Sequence, residues 1–269
     1  MRVLLFALLC LSILLCSCDM TAVREEADEH LKNGDYEAAA AAYDRVIQIN
    51  SDDNYAIFNR ALANEKLGEF DKAYDDYITL IRVRFNSRKA TLGRARCSFE
   101  LENFKGVVFD TNTILEVEPD NLEARALRGR AHVKLGNSFN GIEDLGKYLN
   151  ERPDDVQALI SRGAAWTRAG RGGAGIRDFD KALKIDPNLA VAYFNKAAVF
   201  LFYENFDEAI HNFDLAIEKR PDYVEAYTRR GMAKLSSSFN SLASACADLK
   251  AAHEMGDELA TANLNAYCK

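Results

Sequence analysis

Proline is scarce in this chain, four in 269 residues, which disfavours a loop-rich all-β fold. Cations are the minority charge: 34 Lys and Arg against 41 Asp and Glu, for a net charge of −7. That balance argues against a nucleic-acid partner. Histidine is rare too, and His30, His132, His211 and His253 are scattered. His253-Glu254 lacks the second histidine that a metalloprotease helix needs. No nucleophile, base and acid stand in a recognisable catalytic pattern. The sequence therefore points to no metal, no cofactor and no enzyme. Beyond Leu15, no apolar run approaches the ~20 residues of a spanning helix. What is present is a hydrophobic content of 48%, enough to bury a core.

Residues 1–17 read as a signal peptide. Arg2 is a thin n-region and Val3 to Leu15 an apolar h-region. The segment ends Leu15-Cys16-Ser17-Cys18, which resembles a bacterial lipobox. The resemblance implies that Cys18 becomes the first mature residue and carries acyl chains. Ordinary cleavage after the same small residues would instead release a soluble exported protein. Asp19 resembles an inner-membrane retention signal in some bacteria, but the rule varies between lineages and selects no membrane here. Only Asp19, Met20 and Thr21 separate Cys18 from a helical pattern, so the first folded unit is expected close to a bilayer.

The prolines are Pro119, Pro153, Pro187 and Pro221, each 34 residues after the last. A fixed period of this kind marks a repeat array. Other columns share it. Small residues recur at Ala27, Ala61, Ala95, Gly129, Gly163, Ala197 and Gly231, and again at Ala39, Ala73, Val107, Gly141, Gly175 and Ala209. Turn glycines are Gly34, Gly68, Gly136 and Gly170, with Glu102 and Glu204 in the same register. A late aromatic column holds Tyr43, Tyr77, Phe179 and Phe213, with Thr111 and Leu145 as odd members.

Within each unit apolar residues recur three and four apart, as on one face of a helix. The mid-unit glycine marks a helix end and tight turn. Small residues let two antiparallel helices approach, and proline stops the second. Each unit is then a helical hairpin whose open face is covered by its neighbour.

These columns resemble the tetratricopeptide repeat. The resemblance implies an all-α, right-handed superhelical solenoid of about seven helix-turn-helix repeats. The units are 20–53, 54–87, 88–121, 122–155, 156–189, 190–223 and 224–259. Ser51 and Phe85 stand where repeats one and two would have proline, and repeat seven carries about two extra residues near Ser236 to Ser241. Residues 257–269 are expected to form a capping helix, which an array needs at its end.

Several other features have local readings. Cys97 sits in a first-helix position and reads as a small buried thiol. Cys246 is ten residues before Gly256 and Cys268 twelve after it. In an antiparallel pair both lie about 15–18 Å from that turn. A disulfide is thus possible in an oxidising compartment, and two buried thiols are the alternative. The recurring acids Asp76, Asp110, Asp144, Asp178 and Asp248 read as a structural or solvated-face feature. Gly170-Arg171-Gly172-Gly173-Ala174-Gly175 fits the dinucleotide fingerprint in letters only, because helices flank it on both sides. Its glycines are expected to weaken the start of that second helix and make repeat five a soft point.

In the family resembled, first helices line a concave groove. The positions that map there include Tyr55, Phe58, Asn59, Lys89, Leu92, Arg96, Phe99, Arg130, Phe194, Asn195, Phe202 and Arg229. Rings with Lys, Arg and Asn suit an extended peptide. The family's carboxylate clamp matches in part: Arg24, Asn59 and Lys89 fit, but Asp28 and Gly93 depart from it. The expected function is an exported, lipid-anchored scaffold that binds a protein or peptide partner in the cell envelope. The alternative is an accessory protein that holds a small solute, lipid or glycan for a transporter.

Overall fold

The computed structural model describes residues 20–237 and 241–268. The leader, Cys18 and part of the repeat-seven insertion lie outside the described residues. Fifteen helices occur among the described residues. They are α1 (20–33), α2 (Tyr36–Ile49), α3 (Asn54–Leu67), α4 (Phe70–Arg82), α5 (Ser87–Glu100), α6 (Phe104–Val117), α7 (Leu122–Lys134) and α8 (Ser138–Glu151). The rest are α9 (Val156–Arg168), α10 (Gly172–Ile185), α11 (Ala190–Phe202), α12 (Phe206–Lys219), α13 (Val224–Ser236), α14 (Leu242–Glu254) and α15 (Glu258–Tyr267). They form seven pairs of the tetratricopeptide type, followed by α15. No helix among the described residues is long and apolar enough to cross a membrane.

Local chemistry sets the ends. Asp53, Asn103, Asn121, Asp155 and Asp257 each accept a hydrogen bond from a backbone amide three residues on, capping α3, α6, α7, α9 and α15. Between the two helices of each of the first six pairs the chain turns through the left-handed region. Gly34, Gly68, Gly136 and Gly170 take that turn at φ 83°, 79°, 81° and 75°. Glu102 and Glu204 take it at φ 57° and 59°, where a side chain is strained.

The contacts divide the chain into two compact units, one up to Ala131 and one from His132. In the first, Tyr43 and Tyr77 are fully buried beside the small residues Ala27, Ala39, Ala61 and Ala73. In the second, Leu145, Phe179, Phe213 and Leu249 fill the same role. A fully buried ring of this size stabilises by about 2–3 kcal/mol over an exposed one.

A buried ion ladder links the helices of a repeat. Arg60 clasps Asp76 with Nε 3.0 Å and Nη2 2.6 Å from the carboxylate oxygens. Arg94–Asp110, Arg162–Asp178 and Arg230–Asp248 repeat the two-point contact. The recurring acids are therefore structural and buried, not a solvated face: Asp76, Asp110, Asp178 and Asp248 are all under a tenth exposed. Arg60 and Arg230 also reach Asp44 and Asp214 of the preceding repeat, tying neighbours together.

In repeat five the glycines also have a packing role. Its helix α10 runs the full fourteen residues from Gly172. Gly172 and Gly175 are buried positions of close approach. A Cβ on Gly172 would lie 2.7 Å from both Val199 and Tyr203, and one on Gly175 would lie 2.7 Å from the Gly163 carbonyl. Only Gly173 of the three faces open space. Gly172 and Gly175 thus let neighbouring helices approach closely.

The structure joins Cys246 to Cys268, Cα atoms 5.7 Å apart, fastening the end of α15 to α14. At its other end α15 is held by Asp257, which accepts a 2.9 Å bond from Thr228 of α13. Burial pushes the Asp257 carboxyl up, but its hydrogen bonds from Ala260 and Thr228 outweigh that and leave it below the usual range. Leu249, Ala252 and Ala260 form the small core beneath this last helix. Cys97 is fully buried, and burial raises its thiol to about 12, far from a reactive thiolate.

Candidate functional site: the first-helix faces

In the first unit, Tyr55, Phe58 and Asn59 lie on α3, and Lys89, Leu92, Arg96 and Phe99 on α5. Arg130 lies on α7. Two charge centres organise this face. Asp28 of α1 accepts hydrogen bonds from Tyr43 at 2.5 Å and from Tyr55 at 3.2 Å. Burial, reinforced by Asp28, raises both phenols above their ordinary range. Arg24 pairs with Asp53 and stands 5.7 Å from the centre of the Tyr55 ring.

The second centre is Glu65. Its carboxylate takes Arg96 at 2.5 and 2.9 Å and the Tyr77 hydroxyl at 2.9 Å. Arg96 also reaches Glu123 at 2.9 Å. Burial works against the Arg96 charge, but Glu65 outweighs it and keeps the guanidinium firmly protonated. Arg130 stacks over Phe99 at 4.3 Å.

The residues mapped to this face differ in exposure. Tyr55 is 45% exposed and Lys89 is exposed, while Phe58, Leu92, Arg96 and Arg130 are half-buried. Asn59 and Phe99 lie beneath the surface, each 8% exposed. The partial clamp has a physical limit here. Gly93 is pressed against the Tyr77 ring, where a Cβ would come within 2.3 Å, so a basic side chain has no room.

The mapped residues of the second unit are a separate set. Phe194 is buried, edge-on to Phe213 at 5.6 Å and stacked on Tyr223 at 4.8 Å. Its ring belongs to the core. Asn195 is half-buried, and Arg229 contacts Glu225 at 3.3 Å. Phe202 is 74% exposed and lies edge-on to Tyr203 at 5.3 Å.

Residues 24–89 and 126–190 match the tetratricopeptide repeat family model. The chain belongs to the tetratricopeptide repeat family. No curated protein sequence matches it. A tetratricopeptide repeat protein from Parabacteroides merdae superposes with a TM-score of 0.70 at 18% identity, over 93% of this chain and 99% of that one. The C-terminal part of a repeat protein from Cytophaga hutchinsonii gives 0.64 at 16%, covering 88% and 98%. YrrB, described as a TPR protein with an unusual peptide-binding site, gives 0.57 at 22%, covering 70% and 97%. At these identities the likeness shows the fold.

Within this tetratricopeptide scaffold, the partners of Arg96 escaped sequence reasoning. Glu65 stands in a column that is otherwise mostly apolar, with Leu31, Phe99, Val133, Thr167, Leu201 and Leu235 in the other repeats, so it reads only as an odd member. A pair that occurs in one repeat alone leaves no periodic signal. Asp28 was visible only as a departure from the clamp, whereas the structure makes it the acceptor for two tyrosines.

Proposed function

We propose that this tetratricopeptide scaffold binds an extended segment of a cell-envelope protein through the first-helix face of its first unit, and that it is exported and anchored by acyl chains on Cys18. The observation that carries the binding reading is preorganisation. Asp28 and Glu65 hold Tyr55 and Arg96 in fixed positions before any partner arrives. A ring and a guanidinium held in this way lose little freedom on binding, and affinity gains accordingly. Tyr55, Phe58 and Leu92 offer apolar contact, and Lys89 a cation for backbone carbonyls or a carboxylate. YrrB, on the same fold, is a peptide-binding precedent. The Cys246–Cys268 bond fits an oxidising compartment, which supports export.

The test compares partners recovered from envelope fractions by wild type and by Tyr55→Ala/Leu92→Ala after crosslinking in intact cells. Tyr55→Ala gives up its hydrogen bond to Asp28, which still holds Tyr43, and Leu92 carries no polar group, so the fold should persist, checked by circular dichroism. The variant should lose a partner that the wild type retains. Identical recoveries would place the binding face elsewhere. Cys18→Ser should separately abolish incorporation of labelled palmitate and shift the protein to the soluble fraction.

A further inference from the structure

The segment Arg82-Val83-Arg84-Phe85-Asn86-Ser87-Arg88-Lys89 holds four cations and no acid, in a chain whose net charge is −7. It joins α4 to α5, where Phe85 replaces the usual proline. Arg82, Arg84, Arg88 and Lys89 are all exposed. Arg88 lies 3.3 Å from Glu118, while Arg82, Arg84 and Lys89 have no ion-pair partner among the described residues. Arg84, Arg88 and Lys89 line one cleft of about 530 Å³ with Leu92 and Glu118.

The position of this segment narrows its role. In successive antiparallel pairs, each second helix ends where the next first helix begins. The start of α1, the ends of α2, α4 and α6, and the starts of α3 and α5 therefore share one edge of the first unit. Two contacts confirm this: Arg24 pairs with Asp53 at the cap of α3, and Met20 packs with Ile47 against one core. The same edge carries one exposed aliphatic residue per repeat: Ile49, Val83 and Val117, at 44%, 52% and 62% exposure. The chain that leads back to Cys18 also leaves here, since α1 is already helical at residue 20.

Interleaved cations and aliphatics suit a charged lipid interface, where cations take phosphates and aliphatics enter the headgroup boundary. A soluble acidic peptide would use the cations and leave the aliphatic row uncovered. We propose that this edge of the first unit rests on an anionic bilayer, with Arg82, Arg84 and Arg88 on lipid phosphates and Ile49, Val83 and Val117 at the headgroup boundary. The proposal deepens the anchored reading of Cys18, because it gives the tethered chain an orientation. Asp52, Glu116 and Asp120 are exposed acids on the same edge and oppose the attraction, so the cations carry the binding, which depends on lipid charge and weakens with salt.

The test uses the chain from residue 18 onward with Cys18→Ser, which keeps every described helix and cannot be acylated. It is sedimented at low salt with millimolar phosphatidylcholine vesicles, either pure or containing about 30% phosphatidylglycerol, a strongly anionic surface. The chain should sediment with the anionic vesicles alone. Arg84→Glu/Arg88→Glu should lower the partition by roughly tenfold or more, since it reverses two of the four charges. Lys66→Glu/Lys72→Glu, at the opposite edge, should bind as the wild type does. Circular dichroism confirms that each variant is folded. No sedimentation, equal sedimentation with both vesicles, or an unaffected Arg84→Glu/Arg88→Glu variant would overturn the proposal. Retention on heparin without vesicle binding would assign the segment to a soluble polyanion and overturn it equally. Palmitate labelling of Cys18 in cells is independent, so failure of the anchor and failure of the edge are told apart.

Discussion

Replacing Arg60 with alanine isolates one rung of the buried ladder. Asp76 is 6% exposed, and Arg60 is its two-point partner. Burial already raises the Asp76 carboxyl, and Arg60 is what pulls it back. Asp76 in turn raises the guanidinium. Without Arg60, the carboxyl takes a proton rather than remain charged in the core. At pH 7 that step costs about 4 kcal/mol, from roughly three pH units at 1.36 kcal/mol each. Asp44, on the exposed side of Arg60, adds less than about 1 kcal/mol. The folded pKa of Asp76 then lies further above its unfolded value. The folded chain binds more protons, so the deficit shrinks as pH falls, to about 1.5 kcal/mol at pH 5. The assay is urea unfolding followed by far-UV circular dichroism at both pH values. Arg60→Met/Asp76→Leu, which removes both charges, should cost far less than Arg60→Ala alone. A cost below about 1 kcal/mol at pH 7, or one that grows on acidification, would refute the reasoning.

Other substitutions probe the turns, the close approaches and the cap. Glu204→Gly should raise stability by about 0.5–1 kcal/mol in thermal unfolding, because glycine relieves the strained turn at φ 59°. Gly172→Ala should destabilise by about 1–3 kcal/mol by driving Val199 and Tyr203 apart, whereas Gly173→Ala, in open space, should stabilise by up to about 1 kcal/mol. Cys246→Ser/Cys268→Ser opens a loop with sequence separation 22 and should cost about 3 kcal/mol, read as faster amide exchange in α15.

Much of the fold was legible because stacking imposes the same demand on every unit. A small residue must sit where helices cross, and a ring must fill the space beside it. Those demands recur every 34 residues and surface as columns. The ladder was legible in principle. Arg60, Arg94, Arg128, Arg162, Lys196 and Arg230 each stand directly before a residue of the small column; an acid follows sixteen residues later in repeats two to five, while Asn212 takes that place after Lys196. In repeat seven the interval becomes eighteen, matching its two extra residues. The candidate site was less legible. Helix register places Tyr55, Lys89 and Phe202 toward solvent, but it cannot tell that Phe194 is covered by Tyr223 or that Arg96 is held by Glu65. Those contacts depend on side chains of neighbouring repeats that follow no period. The glycines of repeat five were half legible for a related reason: their local helix penalty was visible, whereas the close approach of Val199 and Tyr203 to Gly172 and of α9 to Gly175 was not.

The central claim is that partners meet the first unit on its first-helix face. The direct measurement places a photo-crosslinking phenylalanine analogue at Tyr55 in one variant and at Phe109, on the second helix α6 of repeat three, in another. Tyr55 is 45% and Phe109 67% exposed, so accessibility favours the control. Irradiation of intact cells should give a discrete crosslinked species from position 55 and none from position 109. A species from position 109 alone would contradict the account.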